Sequence, residues 1–231
     1  MFHLAPAELD ALLLSLRIAL KSVLFSLPVA ILVAWWVTRG RGLIRFLLDA
    51  FVHLPLVLPP VAVGYVLLIV FGVRGPLGRW LYEQFGVRLV FSASGAALAT
   101  AVMTFPLFVR AIRISLEGVD RGLEDAARTL GAGPWDRFFN VTLPLMLPGI
   151  LAGAVTAFAA GLGEFGAVIT FVSNIPGETR TLPLALYTAL QSPDGDAMAA
   201  RLATMSFVLG LGGLVIAELI ARNVRKTLGR V

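Results

Sequence analysis

The sequence predicts an all-α polytopic membrane bundle with five or six transmembrane helices per subunit. Three observations predict it. The hydrophobic fraction is 58% and the mean hydropathy is +0.88. Charged residues make up only 14%, against about a quarter in soluble domains. The apolar residues also gather into windows near the roughly 20 residues that cross a bilayer. This composition excludes a disordered chain, an ordinary soluble enzyme and a nucleic-acid-binding tail. The net charge of +5 is a topology signal, because the basic residues cluster at window edges. The 231 residues form one membrane domain, 1–231.

The first window covers about 18–38 and extends upstream as an amphipathic helix carrying Arg17 and Lys21. Glu8 and Asp10 stand where a cleavable leader would be basic. The second window is about 47–71, the third 92–109, the fourth 145–172 and the fifth 202–221. Pro28, Pro55, Pro59, Pro60, Pro106 and Pro148 lie in or at the edges of these windows. Neighbouring helices in a membrane bundle can re-satisfy the carbonyls that they free.

With five spans, one set of loops and ends collects Arg39, Arg41 and Arg45, then Arg110, Arg113, Arg121, Arg128 and Arg137, then Arg222, Arg225, Lys226 and Arg230. The opposite set holds Arg74, Arg79, Arg88, Arg180 and Arg201. The richer set is expected in the cytoplasm, with the N-terminus outside and the C-terminus inside. Asp49 and Glu218 are then expected to pair with nearby arginines at inner span ends.

The longest inside loop, about 115–143, carries Leu123, Ala126, Ala127 and Leu130 on one helical face. Glu124 and Asp125 suit the first turn of that helix. Gly131 is its C′ stop, and Pro134 after Gly133 starts a second short helix with Trp135, Phe138 and Phe139 on its apolar face. Two short helices therefore meet at a tight corner, Gly131-Ala132-Gly133-Pro134.

This loop resembles the permease subunits of ATP-binding-cassette importers. Their signature is Glu-Ala-Ala, three residues, Gly, nine residues, Ile, any residue, Leu-Pro. Here Asp125-Ala126-Ala127, Gly131, Val141 and Leu143-Pro144 keep that spacing, with Asp for Glu and Val for Ile. The stretches 53–68, 105–120, 126–133 and 161–183 resemble molybdate permeases in particular. The resemblance implies a homodimer that translocates molybdate, and tungstate, by alternating access. It implies two separate ATP-binding subunits and an extracytoplasmic molybdate-binding protein, in a bacterial or archaeal inner membrane. Sulfate or another oxyanion is the alternative cargo. The ATPase-coupling residues so implied are Glu124, Asp125, Ala126, Ala127, Leu130, Gly131, Ala132 and Gly133.

The chain itself is not expected to be catalytic. A P-loop needs Gly before Lys-Ser/Thr; Leu20 precedes Lys21-Ser22 and Arg225 precedes Lys226-Thr227. No cofactor is expected on it; ATP and Mg belong to the partner. Zero cysteines and two separated histidines, His3 and His53, argue against a metal centre.

Glu164, flanked by Gly161, Gly163 and Gly166, is expected deep in the fourth span, where an ionisable group rarely faces lipid. A lone carboxylate repels a dianion, so its expected part is to organise the bundle near a gate. Hydroxyls hold oxyanions weakly, which suits a conduit; the candidate lining residues are Ser26, Thr104, Thr156, Thr170 and Ser206. The outer loop 173–201 offers Asn174, Glu178 and Arg180 for docking a binding protein.

Overall fold

The computed structural model describes residues 5–40 and 42–227. His3, Arg41 and Arg230 lie outside them. The described residues form helices only: α1 (Pro6–Arg39), α2 (Leu43–Val57), α3 (Pro60–Phe71), α4 (Pro76–Phe85), α5 (Ala93–Glu117), α6 (Arg121–Thr129), α7 (Pro134–Arg137), a π-helical turn (Phe138–Thr142), α8 (Leu143–Leu162), α9 (Gly166–Val172), α10 (Leu182–Leu190) and α11 (Asp196–Thr227). Four helical runs are long and apolar enough to cross a membrane, or five if the bent pair α2 and α3 counts as one span.

Two expected spans are not continuous. The window 47–71 bends by 116° between α2 and α3. Pro59 and Pro60 are the cause: Leu58 ahead of them is extended, at ψ 145°, as a residue before proline prefers. The window 145–172 breaks at 163–165, so α8 and α9 are separate helices. Pro28, Pro106 and Pro148, by contrast, sit inside unbroken helices. Two further helices form outside the expected windows, α4 and α10.

The core is built where α5 meets α1 and α8. Phe108, Val109 and Ile112 on α5 are buried against Ala30 and Ala34 of α1 and Met146 and Ile150 of α8. Small residues allow this approach. A Cβ added at Gly149 would lie 2.2 Å from Ser115 Cβ, and one at Gly153 2.8 Å from the Phe108 ring. A second core joins α3 and α9 to α5, with Phe171 and Val172 buried beside Ala96 and Ala99. Here a Cβ on Gly64 would meet Ala167 O at 2.7 Å, and one on Gly166 would meet Pro60 Cβ at 2.7 Å. Direct backbone contact therefore holds the bent pair to the broken one.

Polar side chains fasten α1 at both ends. Near its start, fully buried Glu8 accepts from Arg201 Nε of α11 at 2.8 Å and from Ala5 N at 2.8 Å. Ser15 Oγ accepts from Leu182 N of α10 at 2.7 Å. At its far end, Arg39 Nη2 donates to Glu124 Oε1 of α6 at 2.7 Å. Asp49 on α2 accepts from Arg113 Nη1 at 3.1 Å with both oxygens, and Arg222 Nε donates to Glu218 at 2.6 Å. Both acids thus pair as expected. His53 Nδ1 rests 2.8 Å from Asp49 O.

Candidate functional site

The α6–α7 corner forms as its residues dictate. Asp120 caps α6 by accepting from Gly122 N at 2.8 Å. The helix ends where Gly131 adopts φ +90°, a left-handed conformation that favours glycine. Ala132 N returns to Ala127 O at 3.0 Å and Gly131 N to Arg128 O at 3.1 Å, closing the turn. Gly133 then precedes Pro134 at the first position of α7. The chain continues through the π-helical turn into α8 without leaving helical geometry. Pro144 accounts for that turn: its ring would strike the Asn140 carbonyl in an α-helix, and a widened turn relieves it.

None of α6 is buried. Its outward surface carries Leu123, Asp125, Ala126, Arg128 and Leu130, and Leu130 is 88% exposed. Among the described residues Asp125 pairs only with Arg128, three residues on, at 3.2 Å. Gly131 and Gly133 have open space where a Cβ would stand. Ala127 and Ala132 are half-buried. Trp135, 75% exposed, stacks on Phe139 with centroids 6.2 Å apart, and Phe139 meets Phe138 edge-on at 5.2 Å. Leu123, Leu130, Trp135 and Phe139 form an exposed apolar strip along the corner. Trp135 and Phe139 belong to this strip as much as the signature residues do, and their spacing around the corner is the sequence signal for it.

Glu124 does not face outward with its neighbours. Its Oε1 accepts from Arg39 Nη2 and from Thr142 Oγ1, each at 2.7 Å. One half-buried carboxylate thereby links α1, α6 and the start of α8. Arg39 and Thr142 carry no motif; Arg39 reads in the sequence as an inner-edge charge. Only the fold brings residues 39, 124 and 142 to one point.

Glu164 is not deep inside a continuous helix. It sits in the break between α8 and α9, half-buried, and its Oε1 accepts from Ala167 N at 2.9 Å. The carboxylate supplies the acceptor that the first turn of α9 lacks. Its partner is backbone, and no cation pairs with it among the described residues.

The five hydroxyl candidates all donate to their own helices. Ser26 bonds Ser22 O at 2.7 Å, Thr104 bonds Thr100 O at 2.9 Å, Thr156 bonds Ala152 O at 2.8 Å, Thr170 bonds Gly166 O at 2.8 Å and Ser206 bonds Leu202 O at 2.9 Å. Ser26 and Thr104 are buried in the packing of one subunit, whereas Thr156, Thr170 and Ser206 are half-buried.

The loop between α9 and α10 is tied together by side-chain hydrogen bonds. Asn174 Nδ2 donates to Thr188 Oγ1 at 2.8 Å, and Arg180 Nε donates to Asn174 Oδ1 at 2.9 Å. Buried Thr179 accepts from Ile175 N and donates to Ser173 O; nothing in its sequence context marks it. Asn174 and Arg180 are thus engaged within the loop. Glu178 is exposed, beside a cavity of about 340 Å³ that Arg17 and Lys21 of α1 also line.

Comparison with known proteins agrees with this geometry. Residues 26–226 match the family of binding-protein-dependent transport system inner membrane components. The molybdenum transport system permease protein ModB of Escherichia coli K12 is 57% identical over 227 residues, covering 98% of this chain and 99% of that one. Its Haemophilus influenzae counterpart is 51% identical, covering 96% and 97%. The Mycobacterium tuberculosis protein of the same name is 42% identical, covering 90% and 80%. Among solved structures, a bacterial transporter that imports alginate superposes with a TM-score of 0.73 at 17% identity, over 95% of this chain and 80% of that one. An amino acid transporter superposes with a TM-score of 0.63 at 20% identity, over 94% of each chain. At such identities the structural likeness concerns the fold.

Proposed function

The chain belongs to the binding-protein-dependent transport system inner membrane components, among the molybdenum transport permeases, and from that premise we propose that it forms the membrane path of an ATP-driven importer of molybdate and tungstate. The observation that carries the reading is the α6–α7 corner. An amphipathic helix with no buried residue, held from behind by Glu124, presents an unfilled apolar strip at one end of a membrane bundle. Such a surface suits a groove on a separate ATP-binding subunit.

Two such subunits and a second copy of this chain complete the assembly in this reading. The chain contributes no catalytic residue and no cofactor; ATP and Mg sit on the partner. The corner lies in the cytoplasm with the C-terminus, because the loops at that end carry most of the Lys and Arg. ATP binding draws the two corners together and opens the bundle outward. Hydrolysis resets it inward. At the outer end Glu178 meets an extracytoplasmic molybdate-binding protein, with Asn174 and Arg180 holding the loop that presents it. Glu164 organises the break between α8 and α9 near the gate. In this reading Thr156, Thr170 and Ser206, each partly accessible, line the path, and Ser26 and Thr104, buried within one subunit, support it.

The test is uptake of labelled molybdate in cells that lack their own permease but keep the ATPase and binding protein, with and without this chain. Rescue blocked by tungstate and not by excess sulfate supports the reading. Rescue blocked by sulfate keeps the machine and changes its cargo. Membrane insertion without rescue by either anion overturns the cargo.

A further inference from the structure

A cavity of about 390 Å³ opens between the second half of α1 and the α6–α7 corner. Most of its wall is apolar: Ile31, Leu32 and Trp35 on one side, Trp135 and Phe138 on the other. One end is polar. There Arg39, Glu124 and Thr142 satisfy one another. The side chain of Arg137, in the same wall, does not share in that network, although its carbonyl lies 3.5 Å from Thr142 Oγ1. Its Nε is buried and has no hydrogen-bond partner, and its guanidinium forms no ion pair among the described residues.

A guanidinium N–H removed from water and left without an acceptor is unfavourable. The wall therefore holds one buried cationic N–H donor without an acceptor, on a partly exposed arginine, and its natural complement is an anion. The rest of the wall says which kind. Ile31 and Leu32 lie eight and seven residues up α1 from Arg39, about 11 Å deeper into the span at 1.5 Å per residue. Trp35 and Trp36 mark this level of α1 as a membrane–water boundary, where tryptophan gathers. A free inorganic oxyanion would satisfy Arg137 and leave the apolar depth empty. A partner protein meeting the corner from the water side would not reach Ile31.

We propose that this cavity binds an anionic phospholipid of the leaflet on the α6 side. The phosphate accepts from Arg137 Nε, and an acyl chain lies against Ile31, Leu32 and Trp35. One lipid then bridges the span α1 and the corner beside the Glu124 node, so that lipid charge bears on the contact between membrane helix and loop. The assignment rests on the membrane reading of these helices and is independent of the cargo.

The test uses the complete transporter with its ATPase, reconstituted in nanodiscs of phosphatidylcholine with or without phosphatidylglycerol. Native mass spectrometry reads the lipid retained, and tryptophan quenching by brominated acyl chains reads its place. Brominated phosphatidylglycerol should quench more than brominated phosphatidylcholine, and Trp135→Phe should remove part of the difference. Arg137→Gln should lower phosphatidylglycerol retention about tenfold, as for loss of one charge-assisted contact. Arg137→Lys should restore part of it, and Arg128→Gln, on the outward face of α6, should change nothing.

Equal retention of the two lipids by the unaltered complex overturns the proposal without reference to any variant. So does equal loss in Arg128→Gln, which would indicate general surface charge. Displacement of the lipid-specific quenching by inorganic phosphate or molybdate would assign the site to a free oxyanion. Quenching present in the isolated permease but absent from the complex would assign Arg137 to a carboxylate of the ATPase. Loss of molybdate uptake with lipid retention intact would count against the proposed function alone.

Discussion

The two ends of α1 are fastened by the same chemistry in different settings. At the start, Glu8 is fully buried and held by Arg201 of α11 and by the backbone of Ala5. At the other end, Glu124 remains partly exposed and is held by Arg39 and Thr142. The first joins two long apolar helices within the bundle. The second joins a long helix to a short one that carries no buried residue of its own. A buried carboxylate–guanidinium pair is costly to break because each partner leaves the other stranded. In the Arg39–Glu124 node both side chains keep some exposure, 18% and 19%. At the other end only Arg201 does, at 33%, and Glu8 has none. Water can therefore reach either partner when the inner node parts, but not the Glu8 carboxylate. The outer fastening suits a fixed joint and the inner one a joint that transmits movement.

The comparison breaks most readily at Glu8. Glu8→Ala should destabilise the fold by about 2 to 3 kcal/mol, the size of hydrogen bonds to a charged group, because Arg201 stays a third exposed and keeps its hydration. Thermal unfolding of the purified protein in detergent measures it, and Glu8→Gln with Arg201→Gln should recover part of the loss. Full stability in Glu8→Ala would mean that the two ends do not differ.

Packing sets the next effect. Gly149→Ala should cost about 1 to 3 kcal/mol, because its Cβ would enter Ser115 of α5 and that helix would have to shift. The same thermal measurement checks it.

At the inner node, Glu124→Gln should cost only about 1 kcal/mol of stability yet lower molybdate uptake about tenfold, the size of a modest coupling energy. Comparing uptake with ATP hydrolysis in the reconstituted complex separates the two. An uptake loss no larger than the fall in protein amount would remove the transmitting role.

Leu130→Asp should change stability least, within about 0.5 kcal/mol, because Leu130 is already in water. It should nevertheless abolish retention of the ATPase during purification. Retention unchanged would move the docking surface away from the corner.

Much of the inner corner was legible because its signals are local. Gly131, Gly133 and Pro134 each fix a backbone geometry within a few residues, and the structure places the turn and the second helix start at those positions, whereas the Asp120 cap of α6 came only with the structure. The partners of Glu124 were not legible, for the opposite reason. Its partners stand 85 and 18 residues away, beyond the reach of helical periodicity. Glu164 shows the same limit. Apolar length joined α8 to α9 into one span, whereas the break depends on a carboxylate turning to Ala167 N and on Gly166 meeting Pro60. The bend between α2 and α3 lay between these cases. Pro59 and Pro60 stand at it, but the sequence reading did not set them apart from the prolines inside α1, α5 and α8, which break nothing.

The sequence by itself determined the membrane class, the approximate windows of the spans, the charge imbalance between their two sides and the α6–α7 corner. Each follows from composition, apolar length or a residue's own backbone preference. Only the tertiary structure decided where apolar runs bend, which carboxylate meets which arginine, and that the hydroxyls are engaged by their own helices. It also decided that Arg137 Nε stands without an acceptor beside a cavity. These outcomes depend on which distant groups share a low-dielectric interior, where an unpaired charge or an unfilled backbone bond is costly enough to choose between arrangements of one apolar pattern.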